Sequence, residues 1–162
     1  MNIFVTSPCP IESARFLDDK RVIKMCSESL QLICTALSLR GVDQGELPMK
    51  PTHVNHPSNI WVRSSRSNYL WLCDHWQALC DEKFARYPDN KPYMYAHDVE
   101  RLRGYADLFG DSGLTPFVNC AANGDVGISY KHIEDVHIAY QLYLNDRWDS
   151  DKRDPTWYRE IR

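Results

Sequence analysis

Apolar residues along this chain recur at helical spacing in two long stretches. From Ile11 to Arg40 the pattern keeps a period near 3.6 and predicts one continuous helix, with Gly41 standing just past its end. Val22, Ile23, Met25, Cys26, Leu30, Ile33 and Leu37 fall in one broad arc of that helix, which is the expected core face. The opposite arc is narrower and polar: Lys20, Lys24, Glu28, Gln31 and Thr35, with Arg21 at its edge. A second helix is predicted from Ser58 to about Arg86, stopped by Tyr87-Pro88-Asp89-Asn90. Trp61, Val62, Tyr69, Leu72, Cys73, Trp76 and Cys80 line one of its sides, while Ile60, Asn68, Trp71 and His75 gather on the flank. Two apolar flanks on one helix imply two packing neighbours. Shorter helices are expected over Met94–Phe109 and Lys131–Asp146.

Prolines and glycines punctuate these stretches. Ser7-Pro8-Cys9-Pro10 bars a helix after the short apolar start, and residues 41–57, with three prolines, read as a loop. Gly110–Tyr130, which holds Thr115-Pro116-Phe117, is a long connection for a small domain, and such segments commonly carry function. The tail, Arg147–Arg162, contains Trp148 and Trp157, which are expected to pin it to the body. The fold class that follows is mainly α: a compact single-domain helical fold over residues 1–162, with two long helices, a long ordered loop and a packed C-terminal tail.

Composition excludes more than it identifies. With 43% hydrophobic and 25% charged residues the chain is an ordinary globular one, and no apolar run approaches the ~18 residues of a membrane helix. The start lacks a signal-peptide pattern, so a cytoplasmic setting, that of the host if the chain is phage-encoded, and no membrane partner are expected. The 19 Lys and Arg against 22 Asp and Glu give a net charge of −3, which rules out coating nucleic acid by bulk attraction. Residues 1–70 nevertheless hold 8 basic against 6 acidic side chains, leaving room for a local basic site. Six cysteines without a C-x-x-C, in pairs such as Cys26/Cys34 and Cys73/Cys80 within helical stretches, read as buried thiols. No metal site and no cofactor are expected.

Two regions carry candidate chemistry. On the first helix, Lys24 and Glu28 are one turn apart. On a solvated face such a pair contributes only ~0.3–0.5 kcal/mol. Facing a cleft, the lysines would hold phosphate and Glu28 would act on a sugar or a proton. The second region is Asn55-His56-Pro57 running into Trp61 and Arg63, then Asn68 and Trp71. Here polar groups suited to capping, a histidine suited to proton transfer and indole rings suited to stacking converge on one helix start. Capping and core packing account for the same residues without a ligand. Nucleotide-binding glycine loops, a nucleophile elbow and H-E-x-x-H are all absent.

Met1-Asn2-Ile3-Phe4, Asp19 to Met25 followed by Glu28 and Gln31, Asn55-His56-Pro57 to Trp61, Asn68 to Trp71, and Thr115-Pro116-Phe117 together resemble a family of small phage-encoded proteins known as pyrimidine-dimer DNA glycosylase-like. The resemblance implies a compact all-helical fold, excision of a damaged pyrimidine, and strand cleavage through an imine. It also implies an N-terminal amine as nucleophile, for which Lys20 or Lys24 would substitute as the imine-forming amine only if burial lowered its pKa, and a glutamate on an early helix, for which Glu28 is the match by order. Arg21 stands where that family usually has His.

The resulting expectation is a DNA-processing enzyme with Glu28, Lys24 and His56 as catalytic groups. Lys20, Arg21, Gln31, Asn55, Arg63 and Asn68 would bind the substrate, and Trp61 or Trp71 would stack on a flipped base. Two other readings stand beside it. One is a non-catalytic phage-type protein that binds a host protein, in which the acidic Asp146, Asp149, Asp151 and Asp154 would engage a basic surface. The other is an enzyme acting on free nucleotides.

Overall fold

The computed structural model describes residues 1–87 and 91–157. Six α-helices run through them: α1 Pro10–Phe16, α2 Asp19–Ser38, α3 Pro57–Val62, α4 Arg66–Arg86, α5 Val99–Arg103 and α6 Val136–Ser150. The only sheet among the described residues is a two-stranded antiparallel ribbon, β1 Ala122–Asn123 and β2 Ile128–Ser129. The protein is mainly α. Helix α4 packs against both α1 and α2, as its two apolar flanks require. Trp76 is fully buried between α2 and α4, and its indole N–H donates to the Cys26 carbonyl at 3.0 Å. Tyr69 stacks on Phe109 and donates its hydroxyl to the Leu102 carbonyl at 2.6 Å, tying α5 to the same core.

Each long helix expected from the sequence is interrupted. The predicted Ile11–Arg40 helix breaks at Leu17 and Asp18, both of which are extended. The carbonyls freed at the end of α1 are taken by side chains: Arg86 donates to Arg15 O at 3.0 Å and Leu17 O at 2.6 Å, and Trp157 to Phe16 O at 3.0 Å. The Asp18 carboxylate accepts from Arg21 at 2.9 Å and Trp148 at 2.7 Å. The predicted Ser58–Arg86 helix breaks at Arg63–Ser65. Ser65 caps α4 by accepting from the Asn68 N–H at 3.0 Å.

Residues 96–108 form α5 flanked by 3₁₀ turns in place of the predicted 94–109 helix. The last helix begins five residues later than expected, because the Asp135 carboxylate caps it by accepting from the N–H groups of His137 and Ile138. It also extends to Ser150, so Trp148 is helical. Ile23, assigned to the core arc of α2, is exposed, whereas Val22, Met25, Cys26, Leu30, Ile33 and Leu37 are fully buried.

The long connection is ordered by a few polar anchors. The Asn68 amide donates to Thr115 Oγ1 at 2.7 Å and accepts from the Thr115 N–H at 3.0 Å, and the Trp61 indole donates to Thr115 O at 3.3 Å. Phe117 then packs against Trp61, Trp71 and His137. At the tail, Trp148 and Trp157 meet edge to face at 5.0 Å, and the Asp19 N–H at the start of α2 donates to Thr156 O at 2.8 Å. Residues 158–162 of the expected tail lie outside the described residues. Among the described residues no helix is long and apolar enough to cross a membrane.

Candidate active site

A cavity of about 360 Å³ opens where the N-terminal segment meets α2, the start of α3 and the long connection. Its size lies at the lower end of the ~300–1,000 Å³ typical of ligand pockets. Met1, Asn2 and Phe4 form one wall, Lys24 and Glu28 of α2 a second, and His56 and Pro57 a third. Cys120, Ala122, Asn123, Lys131 and Tyr143 close the remainder.

The N-terminal segment is fixed by Asn2. Its buried side-chain oxygen accepts from the Tyr140 hydroxyl at 2.7 Å and from the Ile3 N–H at 2.8 Å, and its amide nitrogen donates to Cys120 O at 3.1 Å. Tyr140 is tied in turn, accepting from the Cys120 N–H at 3.0 Å. Burial pushes the Tyr140 phenol up from its ordinary pKa, which keeps it a donor. Phe4 follows at φ 56°, a left-handed conformation that is costly for a residue with a Cβ. Stacking on Tyr143 at 5.9 Å and edge contact with Tyr140 at 6.0 Å hold it there.

Glu28 is the one carboxylate among the described residues lining this cavity. Its side chain is 17% exposed, and Oε2 accepts the main-chain N–H of Asn2 at 3.2 Å. Lys24 reaches Oε1 at 3.4 Å with its own side chain 68% exposed, so this ion pair is open to water on the lysine side. The pair contributes little stability, and its interest lies in where it points.

His56 caps α3: its Nδ1 accepts from the Ser58 N–H at 3.2 Å. A main-chain N–H only donates, so Nδ1 is unprotonated and the ring proton of neutral His56 resides on Nε2. Burial first, then the positive Met1 terminus and His53, lower its pKa; Glu28 opposes the shift and Lys131 adds to it. The neutral ring that results offers an N–H donor near a carboxylate and an amine.

Lys24, Glu28 and His56, expected as catalytic groups, therefore line one cavity with Met1. The residues expected to bind substrate do not join them. Lys20 pairs with Asp151 at 3.3 Å, and Arg21 lies buried between Asp18 at 2.9 Å and Asp151 at 3.0 Å. Gln31 is half-buried and Asn55 exposed, and neither lines the cavity. Arg63 donates to Val54 O at 2.7 Å and to the Asn59 side chain at 3.2 Å, holding the turn before α3. Asn68 spends its amide on Trp61 O and Thr115. The expected stacking faces are corrected: Trp61 and Trp71 are 3% and 7% exposed, and they pack on each other and on Phe117 in the core.

Asn2, Phe4, Lys131, Tyr140 and Tyr143 line or support the cavity without a site role among the residues expected from sequence. Asn2 and Phe4 fall inside the first motif of the family resemblance, and Lys131 directly follows the long connection; no local periodicity marks the two tyrosines. The four helical cysteines are buried, and burial pushes the thiol of Cys34 up to about 11 and that of Cys73 up to about 12, which keeps those two unreactive. Among the described residues no three His, Cys, Asp or Glu side chains converge as metal ligands.

Comparison with known proteins bears on the family of the chain. Neither a curated protein nor a solved structure matches the chain. A family model does match residues 1–95, the stretch that supplies Met1, Asn2, Lys24, Glu28 and His56, and on that match the chain belongs to the pyrimidine dimer DNA glycosylase family.

Proposed function

We propose that this protein excises a pyrimidine base from DNA at the Glu28 cavity and then cleaves the strand through an imine. The observation that carries the reading is the 3.2 Å contact between the Asn2 main chain and Glu28 Oε2. It brings the terminal nitrogen, one residue earlier in the chain, beside a half-buried carboxylate in a space lined by both.

In this reading the Met1 amine, in its neutral form, attacks C1′ of the damaged nucleotide as the C1′–N bond breaks. The bonding electrons leave with the base, which takes up a proton. Positive charge develops on the sugar next to Glu28, which stabilises it better than the neutral ground state. The nitrogen gives up a proton, the sugar ring opens and O4′ is protonated, leaving an iminium at C1′. Removal of a C2′ proton expels the 3′ phosphate, and water hydrolyses the imine to return the amine. His56, donating from Nε2, hydrogen-bonds an oxygen of the base or sugar. Lys24, exposed beside the carboxylate, meets the DNA backbone.

The test is a duplex carrying one cyclobutane pyrimidine dimer, incubated with the protein and borohydride. A reduced covalent adduct that maps to the peptide beginning at Met1 is the expected result. Scission of the C1′–N bond, which leaves the base joined to its neighbour through the cyclobutane ring, without an adduct overturns the imine step, and an adduct on Lys24 or Lys131 overturns the choice of Met1. Absence of both scission and adduct overturns the proposed activity.

A further inference from the structure

We infer that Lys131 seats a backbone phosphate of the bound DNA strand, so that residues beyond the family-matched stretch complete the substrate site; this rests on the reading above. The match ends at residue 95, yet Cys120, Asn123, Lys131 and Tyr143 line the same cavity as Glu28.

The charge balance in the cavity calls for an anion. The lining residues present one carboxylate against two lysine ammonium groups and the terminal amine. Lys24 already lies within ion-pair distance of Glu28. Lys131 is exposed and, among the described residues, forms no ion pair, although its charge is felt at the His56 ring. An approaching phosphodiester would supply the missing negative charge without displacing an internal partner.

The backbone that carries Lys131 is firmly placed. Tyr130, directly before it, donates its N–H to Ala121 O at 2.8 Å and its hydroxyl to Asp146 at 2.6 Å, and its carbonyl accepts from the Asn119 amide at 3.0 Å. Those three bonds tie this stretch to the connection and to α6. A flexible four-carbon arm on a fixed base suits a point-charge contact to phosphate, which needs reach more than orientation.

Binding to a duplex with a tetrahydrofuran abasic analogue, followed by fluorescence anisotropy across a salt series, tests the assignment. One phosphate contact contributes about 0.9 to the slope of log K against log salt. Lys131→Ala is expected to lower the slope by about that amount and weaken binding several-fold at low salt, while Lys131→Arg restores both. Lys152→Ala, outside this cavity, is expected to keep the wild-type slope. An unchanged slope in Lys131→Ala, with wild-type excision intact, overturns the phosphate seat and leaves the excision reading standing. A wild-type protein that binds with the expected Lys131 dependence but breaks no C1′–N bond of a dimer duplex overturns excision and leaves the seat standing. Absence of salt-dependent binding overturns both.

Discussion

The main-chain N–H of Asn2 donates to the Glu28 carboxylate at 3.2 Å, across 26 positions of sequence. This bond orders the cavity, because it joins the N-terminal segment to the helix that carries the acid. Its geometry depends on the side chain of the same Asn2, held by Tyr140 and by the carbonyl of Cys120.

Tyr140→Phe should therefore affect both stability and activity. The variant leaves the buried Asn2 oxygen one partner short and takes the acceptor from the N–H of half-buried Cys120. Leaving buried polar groups unsatisfied costs about 1–3 kcal/mol. Urea denaturation should show a loss of that size. Excision by the folded variant should fall as well, because the N-terminal segment loses its anchor; wild-type turnover in a destabilised Tyr140→Phe would detach the anchor from the chemistry.

Arg21 gives the contrasting case. It lies buried between Asp18 and Asp151, and although burial raises the Asp151 carboxyl, Arg21 and Lys20 more than offset this and hold it below its ordinary pKa. Removing one partner of a buried pair costs about 3–5 kcal/mol. Arg21→Gln should lose stability on that order, measured by denaturation, while the salt slope of DNA binding stays at the wild-type value. A smaller slope would return Arg21 to the substrate-binding role expected from sequence.

These two residues mark the limit of what the sequence makes legible. The core arc of α2, the mainly helical class and the grouping of Lys24 with Glu28 follow from periodicity, which is a local signal. The breaks at Leu17–Asp18 and Arg63–Ser65 do not, because they depend on partners as distant as Arg86, Trp148 and Gly110. Arg21, Arg63, Asn68, Trp61 and Trp71 have the chemistry of ligand-binding side chains, but the fold pairs Arg21 with its own carboxylates and uses the others to satisfy its own carbonyls and fill its own core. Asn2 and Tyr140 enter the site through contacts spanning more than a hundred residues, and Lys131 lines the same cavity as Glu28 from far along the chain, which no local pattern encodes.

His75 should make stability depend on pH. It is fully buried, stacked on Trp71 at 5.2 Å, and its Nδ1–H donates to Pro10 O at 2.9 Å. Burial lowers its pKa from 6.5 to about 4, outweighing the carbonyls of Pro10 and Ile3, which favour the charged form. Between those values the unfolded chain binds the proton more readily, so stability is complete above about pH 6.5 and falls as the pH drops toward 4. A shift of this size corresponds to a loss on the order of 3 kcal/mol. Denaturation at pH 7, 5.5 and 4.5 should show the decline in wild type and a shallower one in His75→Gln; equal slopes would assign the acid sensitivity elsewhere.

The most direct test of the central claim is single-turnover excision from a pyrimidine-dimer duplex by wild type and by Glu28→Gln. The amide keeps the shape of the side chain and still accepts from the Asn2 N–H, but it carries no charge for the developing sugar cation. Wild type is expected to cleave the C1′–N bond of the dimer, and Glu28→Gln to do so at a rate about 10²–10³-fold lower, with fold and duplex binding retained. Cleavage by Glu28→Gln at the wild-type rate would contradict the role of the carboxylate.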